Sequence, residues 1–258
     1  MLVLLPPSEG KTAPVTGPPL DVAGLSSPRL YPMREKVLDA LFQVSAQPEA
    51  VTILGVGASI AGEVARNVNL RGAPTARADQ VYSGVLFAAA GLSRLPPAAH
   101  ARAEESVRIL SGLWGVTSPS DRIPAYRLSM ATDLPGIGPL TRAWRSELAA
   151  ALDSRADGDL VVDCRSTTYL AAWRPPRSAA WVQVRVVREL AGRRSGVSHN
   201  AKHARGVLAR HLLARRRSVP ADADGLAAAA SELIGEQWVA VELAPPVRGA
   251  CVLTLVVR

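Results

Sequence analysis

The stretch LVLLPPSEGKT, residues 2–12, joins four apolar residues to a proline-rich polar turn and a Gly10-Lys11-Thr12 triplet. The apolar run reads as a buried strand. The turn that follows invites comparison with a phosphate-binding P-loop, and the comparison fails. That motif needs a glycine five residues before the Gly-Lys pair, where this chain has Leu5. Pro6 and Pro7 also lack the backbone N–H groups that such a loop turns toward phosphate. What survives is a strand whose exit carries Ser8, Lys11 and Thr12, placed either to meet an anion or to form a solvated turn.

Working outward, apolar runs mark further strands at residues 51–56, 160–164, 181–187, 238–243 and 251–257. In WVQVRVV, residues 181–187, Val182, Val184 and Val186 alternate with Gln183 and Arg185, which suggests one wet face. Helical periodicity fills residues 34–47, 60–68, 98–113, 140–152, 199–215 and 222–237. This mixture with short connections predicts a single α/β (mixed α+β) domain over residues 1–258, a central mixed sheet with helices around it. Residues 12–32 form a long Pro/Gly/Ser-rich loop. The 258 residues are 48% hydrophobic, enough for a large core, and no run approaches the ~20 apolar residues that span a bilayer. The apolar start is too short for a signal peptide and has no basic leader, and Cys164 and Cys251 lie in strand-like runs. A reducing cytoplasm without a disulfide framework is the expectation.

The formal net charge of +8 is concentrated. Residues 185–217 hold ten Arg or Lys against Glu189 alone, so the rest of the chain sums to −1. Such clustering favours a polyanion or a phosphorylated ligand. Arg outnumbers Lys 27 to 3, which explains abundant Arg but not its clustering. On a helical wheel Ala201, Ala204, Leu208 and Leu212 form one stripe, with Lys202 and Arg205 at its edge. Those two are candidates for a defined anion site; His203, Arg210 and Arg217 fall on the wetter side. His199 and His203 have metal-ligand spacing, but no nearby carboxylate and a cationic setting argue against a metal. No metal and no cofactor are expected.

Two further segments carry candidates. DLPGIGPLTRAW, residues 133–144, resembles the hairpin of a helix-hairpin-helix element, with Gly136 and Gly138 approaching DNA phosphate and Arg142 and Arg145 adding charge. A preceding helix would have to end near Met130, with Pro124 leaving little room; the alternative is a turn that starts an amphipathic helix. RILSGLWGVTSPSDRIPAYRLSM, residues 108–130, reads as a helix ending at Ser111-Gly112, then a loop whose Trp114, Tyr126 and Arg127 suit stacking on a base and pairing with phosphate. Packing is the better reading for Trp114.

Together these motifs resemble the YaaA family of bacterial peroxide-stress proteins. The resemblance rests on the N-terminal strand with Lys11-Thr12, Tyr82-Ser83-Gly84, and the signature holding Arg108, Leu110, Ser111, Gly112, Leu113, Gly115, Val116, Pro119, Asp121, Tyr126 and Arg127. Trp144, Ser166 with Tyr169, and Lys202, Ala204, Arg205, Gly206 and Arg210 extend it. Trp114 replaces a usual Tyr and Ser129 a usual Glu, and the N-terminal loop is longer than in some members. The resemblance implies an α/β domain with a positively charged cleft, DNA binding through a helix-hairpin-helix-like element, and a role in limiting oxidative DNA damage and free iron. The expected phosphate-binding set is Lys11, Arg127, Gly136, Gly138, Arg142, Lys202, Arg205 and Arg210. Ser8, Tyr82, Ser111, Tyr126, Ser166 and Tyr169 are expected to share the cleft. The partner is then DNA or a phosphorylated small molecule, with no membrane involved. The alternative is an enzyme acting on a nucleotide in the same pocket, for example by breaking its glycosidic bond, with Tyr82 or Tyr169 handling a proton.

Overall fold

The computed structural model describes residues 1–190, 193–196, 199–247 and 249–258. Its first strand, β1 (Leu2–Leu5), is fully buried along its whole length. It pairs in parallel with a neighbour on each side, which is why all four residues are apolar. The other strands are β2 (Ala76–Arg77), β3 (Val107–Ser111), β4 (Gly115–Thr117), β5 (Arg122–Ile123), β6 (Asp133–Leu134), β7 (Gly138–Pro139), β8 (Leu160–Asp163), β9 (Ala180–Leu190), β10 (Arg193–Gly196), β11 (Ala240–Val247) and β12 (Ala250–Val257). The main sheet runs β11-β12-β9-β8-β1-β3-β4, with β10 folded onto β9. The five strands from β12 to β3 are mutually parallel, and β4, β10 and β11 pair antiparallel.

The helices are α1 (Tyr31–Ser45), α2 (Ala50–Ile53), α3 (Ala61–Ala65), α4 (Ala78–Val81), α5 (Val85–Ala90), α6 (Pro97–Ser106), α7 (Leu140–Ala143), α8 (Arg145–Ala156), α9 (Thr167–Ala172), α10 (His199–Ala214) and α11 (Ala223–Ser231). The result is a mixed α/β body with one continuous core. None of the described helices is long and apolar enough to cross a membrane.

Two expectations change. Residues 51–56 are not a strand: α2 covers the first of them, and Gly55 turns the chain at positive φ. A short apolar run does not distinguish a strand from a buried helical turn. The helix expected over residues 98–113 stops at Ser106, and residues 107–111 become β3. Val107 and Ile109 are β-branched and lie opposite Val3 and Leu5 of β1, so burial in the sheet decides their conformation.

Candidate functional site

The loop after β1 is stitched to the segment that precedes α5. The Ser83 N–H donates to Ser8 Oγ at 3.0 Å, the Ser83 hydroxyl donates to Gly10 O at 3.2 Å, and Thr12 N donates to Val81 O at 2.9 Å. Lys11 forms a β-bridge with Tyr82, and its Nζ folds back to donate to Ser8 O at 2.9 Å. The same ammonium lies 4.2 Å from the centroid of the Tyr126 ring, within cation–π range. Burial lowers the Lys11 pKa to about 8, with Glu9 and Glu63 opposing the shift and Arg127 adding to it.

Beneath Lys11 runs a buried hydroxyl chain. Tyr82 and Tyr126 meet at 2.9 Å, and Tyr126 meets Ser111 Oγ at 2.6 Å. Ser111 Oγ already accepts from Leu113 N and Trp114 N, so its proton points to Tyr126. Burial pushes Tyr82 up to about 12 and Tyr126 well above the usual phenol range. Tyr82, Tyr126 and Trp114 are 2%, 3% and 0% exposed. The expected base-stacking by Tyr126 or Trp114 and proton handling by Tyr82 do not fit this placement: all three rings are core, and the two tyrosine hydroxyls bond to each other.

Arg127 is likewise committed. Its guanidinium pairs with Glu9 at 2.9 Å and Glu63 at 3.5 Å, and its backbone N–H donates to Asn67 Oδ1 at 2.9 Å. These contacts tie it to the loop after β1. The rest of the 108–130 signature is also a structural knot. Arg34, fully buried, donates to Trp114 O, Ser26 O and Val116 O. The Asp121 carboxylate accepts from Ser26 and Ser118. Gly115, at φ +70°, presents its Cα face to the Trp144 ring so closely that a Cβ would lie 2.7 Å from it. Sequence reading missed Arg34, because a lone arginine in an amphipathic helix carries no signal of burial.

Above the stitched loop opens a cleft of about 450 Å³. Its walls are residues 6–10, residues 83–87, Ser166 and Tyr169 of the α9 region, and Lys202 and Arg205 of α10. Arg205 is anchored through Nε and Nη2 to Val184 O at 3.2 and 2.9 Å. Gly206 makes this placement feasible, since a Cβ there would lie 2.2 Å from Leu86 O of α5. The close contact sets Lys202 and Arg205 over the cleft. Among the described residues neither enters an ion pair, whereas Arg194 pairs with Glu189 and Glu242, and Arg215 and Arg217 pair with Glu232. Three of the ten cations in residues 185–217 are thus paired with acidic residues of the chain. Tyr169, its pKa raised by burial, lines the cleft with its ring.

The structure brings Ser8, Ser166, Tyr169, Lys202 and Arg205 to one cleft, with Lys11, Tyr82, Ser111, Tyr126 and Arg127 behind or beside its loop. Arg210 is elsewhere: its Nη1 faces Ala90 O at 3.5 Å, at the end of α5. Gly136, Gly138 and Arg142 are outside the cleft as well. β6 and β7 form a small antiparallel hairpin, with Gly136 and Gly138 at φ +82° and +87°. No helix directly precedes that hairpin; residues 124–129 have no regular structure and residues 130–131 turn, so the feature is a β-hairpin leading into α7. The His199 side chain, one half of the His pair, lies outside the described residues. Asp79, His100 and Glu104 cluster at metal-binding separations, but Arg77 sits among them, 2.9 Å from Asp79, 3.0 Å from His100 and 2.5 Å from Glu104. A cation is thus already supplied by the chain.

Residues 1–231, which include every cleft residue, match the family model described as peroxide stress protein YaaA. The chain belongs to this family. It is 45% identical over 217 residues to a UPF0246 protein of Streptomyces coelicolor, covering 83% of each chain. It is 40% identical to a UPF0246 protein of Corynebacterium efficiens, over 82% of this chain and 84% of the relative. A UPF0246 protein of Rhizorhabdus wittichii is 30% identical over 256 residues, or 92% and 98% of the two chains. The YaaA family match stops at the end of α11, so β11 and β12 of this chain's sheet lie beyond it.

Proposed function

We propose that this peroxide-stress protein binds DNA at the cleft beside β1, seats backbone phosphate on Lys202 and Arg205, and thereby helps limit iron-dependent oxidative damage. The supporting observation is convergence: of the seven cations of residues 185–217 that enter no ion pair among the described residues, Lys202 and Arg205 are the two that line this cleft. A cleft of about 450 Å³ falls in the size range of small-ligand sites, about 300–1,000 Å³, and suits one nucleotide unit of a strand. Phe87 and Tyr169 give it apolar walls, and Ser8, Ser83 and Ser166 give it hydroxyls. The test is titration of a labelled duplex and a labelled single strand against rising salt. Each phosphate neutralised contributes a slope of about −0.9 on duplex and −0.7 on single strands in log affinity against log salt. Binding indifferent to salt, or none, rejects the reading.

A second reading has its own observation. Glu9 lines the cleft, its carboxylate ion-paired with Arg127 at 2.9 Å, in a site that also holds Lys202 and Arg205. A carboxylate beside a bound nucleotide is positioned to activate water or stabilise positive charge on the sugar, as cleavage of a glycosidic bond requires. Incubation with a panel of nucleotides, followed by chromatography, decides it: release of free base that Glu9→Gln abolishes supports an enzyme, and unchanged nucleotides oppose it.

A further inference from the structure

Arg205 lines two clefts. Besides the one already described, a second cavity of about 450 Å³ opens against β8 and β9, and Ser166 and Arg205 belong to the walls of both. We propose that this second cavity is an adjoining phosphate subsite, so that the ligand is a nucleotide chain of at least two units straddling Arg205. The inference rests on the cleft reading of the preceding subsection and extends it to the length of the ligand.

The second cavity is polar and cationic by construction. Gln183 and Arg185 stand two residues apart on β9, which puts both on one face of the sheet. Ser166 and Thr167 are exposed at the start of α9, and the Ser166 side chain is not spent on capping that helix. Leu170 and Val252 give an apolar patch for a base or sugar. Asp163 also lines the cavity, yet its charge is already answered: Arg165 holds it through two contacts of 2.8 and 2.6 Å, and Trp181 Nε1 donates to it at 3.1 Å. What remains for a ligand is Arg185, exposed and braced on Thr254 Oγ1 at 2.9 and 3.1 Å, together with Arg205. Val184 O holds the Arg205 guanidinium on the line between the clefts, where it touches a phosphate linking two nucleotides.

Calorimetric titration of the full chain with three probes tests this: thymidine 5′-monophosphate, 5′-phosphorylated dithymidylate and inorganic diphosphate. The dinucleotide is expected to bind at least about tenfold tighter than the mononucleotide, the gain of one further charge-assisted contact. Gln183→Ala and Arg185→Gln are expected to erase that advantage while leaving mononucleotide affinity within about twofold. Equal affinity for the mono- and dinucleotide overturns the second subsite and leaves the first cleft standing. So does an equal loss for both ligands in the two variants. Diphosphate binding as tightly as the dinucleotide overturns the choice of a nucleotide chain. Absence of binding by every probe overturns this inference and the cleft reading together.

Discussion

At the scale of residues, Lys11 and Arg34 make different demands. Lys11 keeps its amine under its own loop at a depressed pKa of about 8, against 10.5 for a free side chain. Between those values the unfolded chain binds more protons than the folded one, so stability rises with pH through that window. Lys11→Met is expected to flatten the rise, as read by denaturant unfolding at pH 7.5 and 10; a rise that persists unchanged assigns it to other groups. Arg34 is expected to matter more for folding. Its replacement by Met leaves the carbonyls of Ser26, Trp114 and Val116 without a buried donor and is expected to cost about 3 kcal/mol or more. Chemical denaturation measures that loss, and a change under about 1 kcal/mol contradicts the account. Lys11 was legible in the sequence as the cation at a strand exit, while Arg34 was hidden in the periodicity of its helix.

At the scale of elements, the contact between α5 and α10 sets the site. Gly206→Ala inserts a methyl 2.2 Å from Leu86 O, and the helices must part. A stability loss of about 1–3 kcal/mol is expected, with ligand affinity falling more than in a surface variant of equal stability. Calorimetric melting and binding on the same preparation separate the two effects. The β6–β7 hairpin makes the opposite prediction. Gly136 and Gly138 face open space outside the cleft, so replacing both with Ala strains the backbone without touching the proposed phosphate site. Mononucleotide affinity should hold while duplex affinity is measured beside it; a loss for the duplex alone would return the hairpin to a DNA-binding role. The basic helix was legible because an apolar stripe fixed its orientation, and Lys202 and Arg205 fell at the stripe's edge as expected. Residues 98–113 were not, because their helical pattern ran on unbroken into a strand whose conformation depends on partners a hundred residues away.

At the scale of the whole molecule, a parallel sheet brings the ends of β1 and β8 side by side, and α10 closes over them. Burial made the central strands readable, since β1, β8, β9 and β12 are apolar runs with few ambiguities. Charge pairing was not readable, because Glu189, Glu232 and Glu242 answer their arginines across as many as 48 residues of chain. Of the segment's cations that enter no ion pair among the described residues, Lys202 and Arg205 are the two that line the cleft beside β1. The most direct measurement compares wild type with Lys202→Gln/Arg205→Gln for binding of a labelled single-stranded oligonucleotide over a range of salt. The account predicts weaker binding and a log–log salt slope shallower by about 1.4, the contribution of two phosphates. An unchanged affinity and slope in the folded double variant would contradict it.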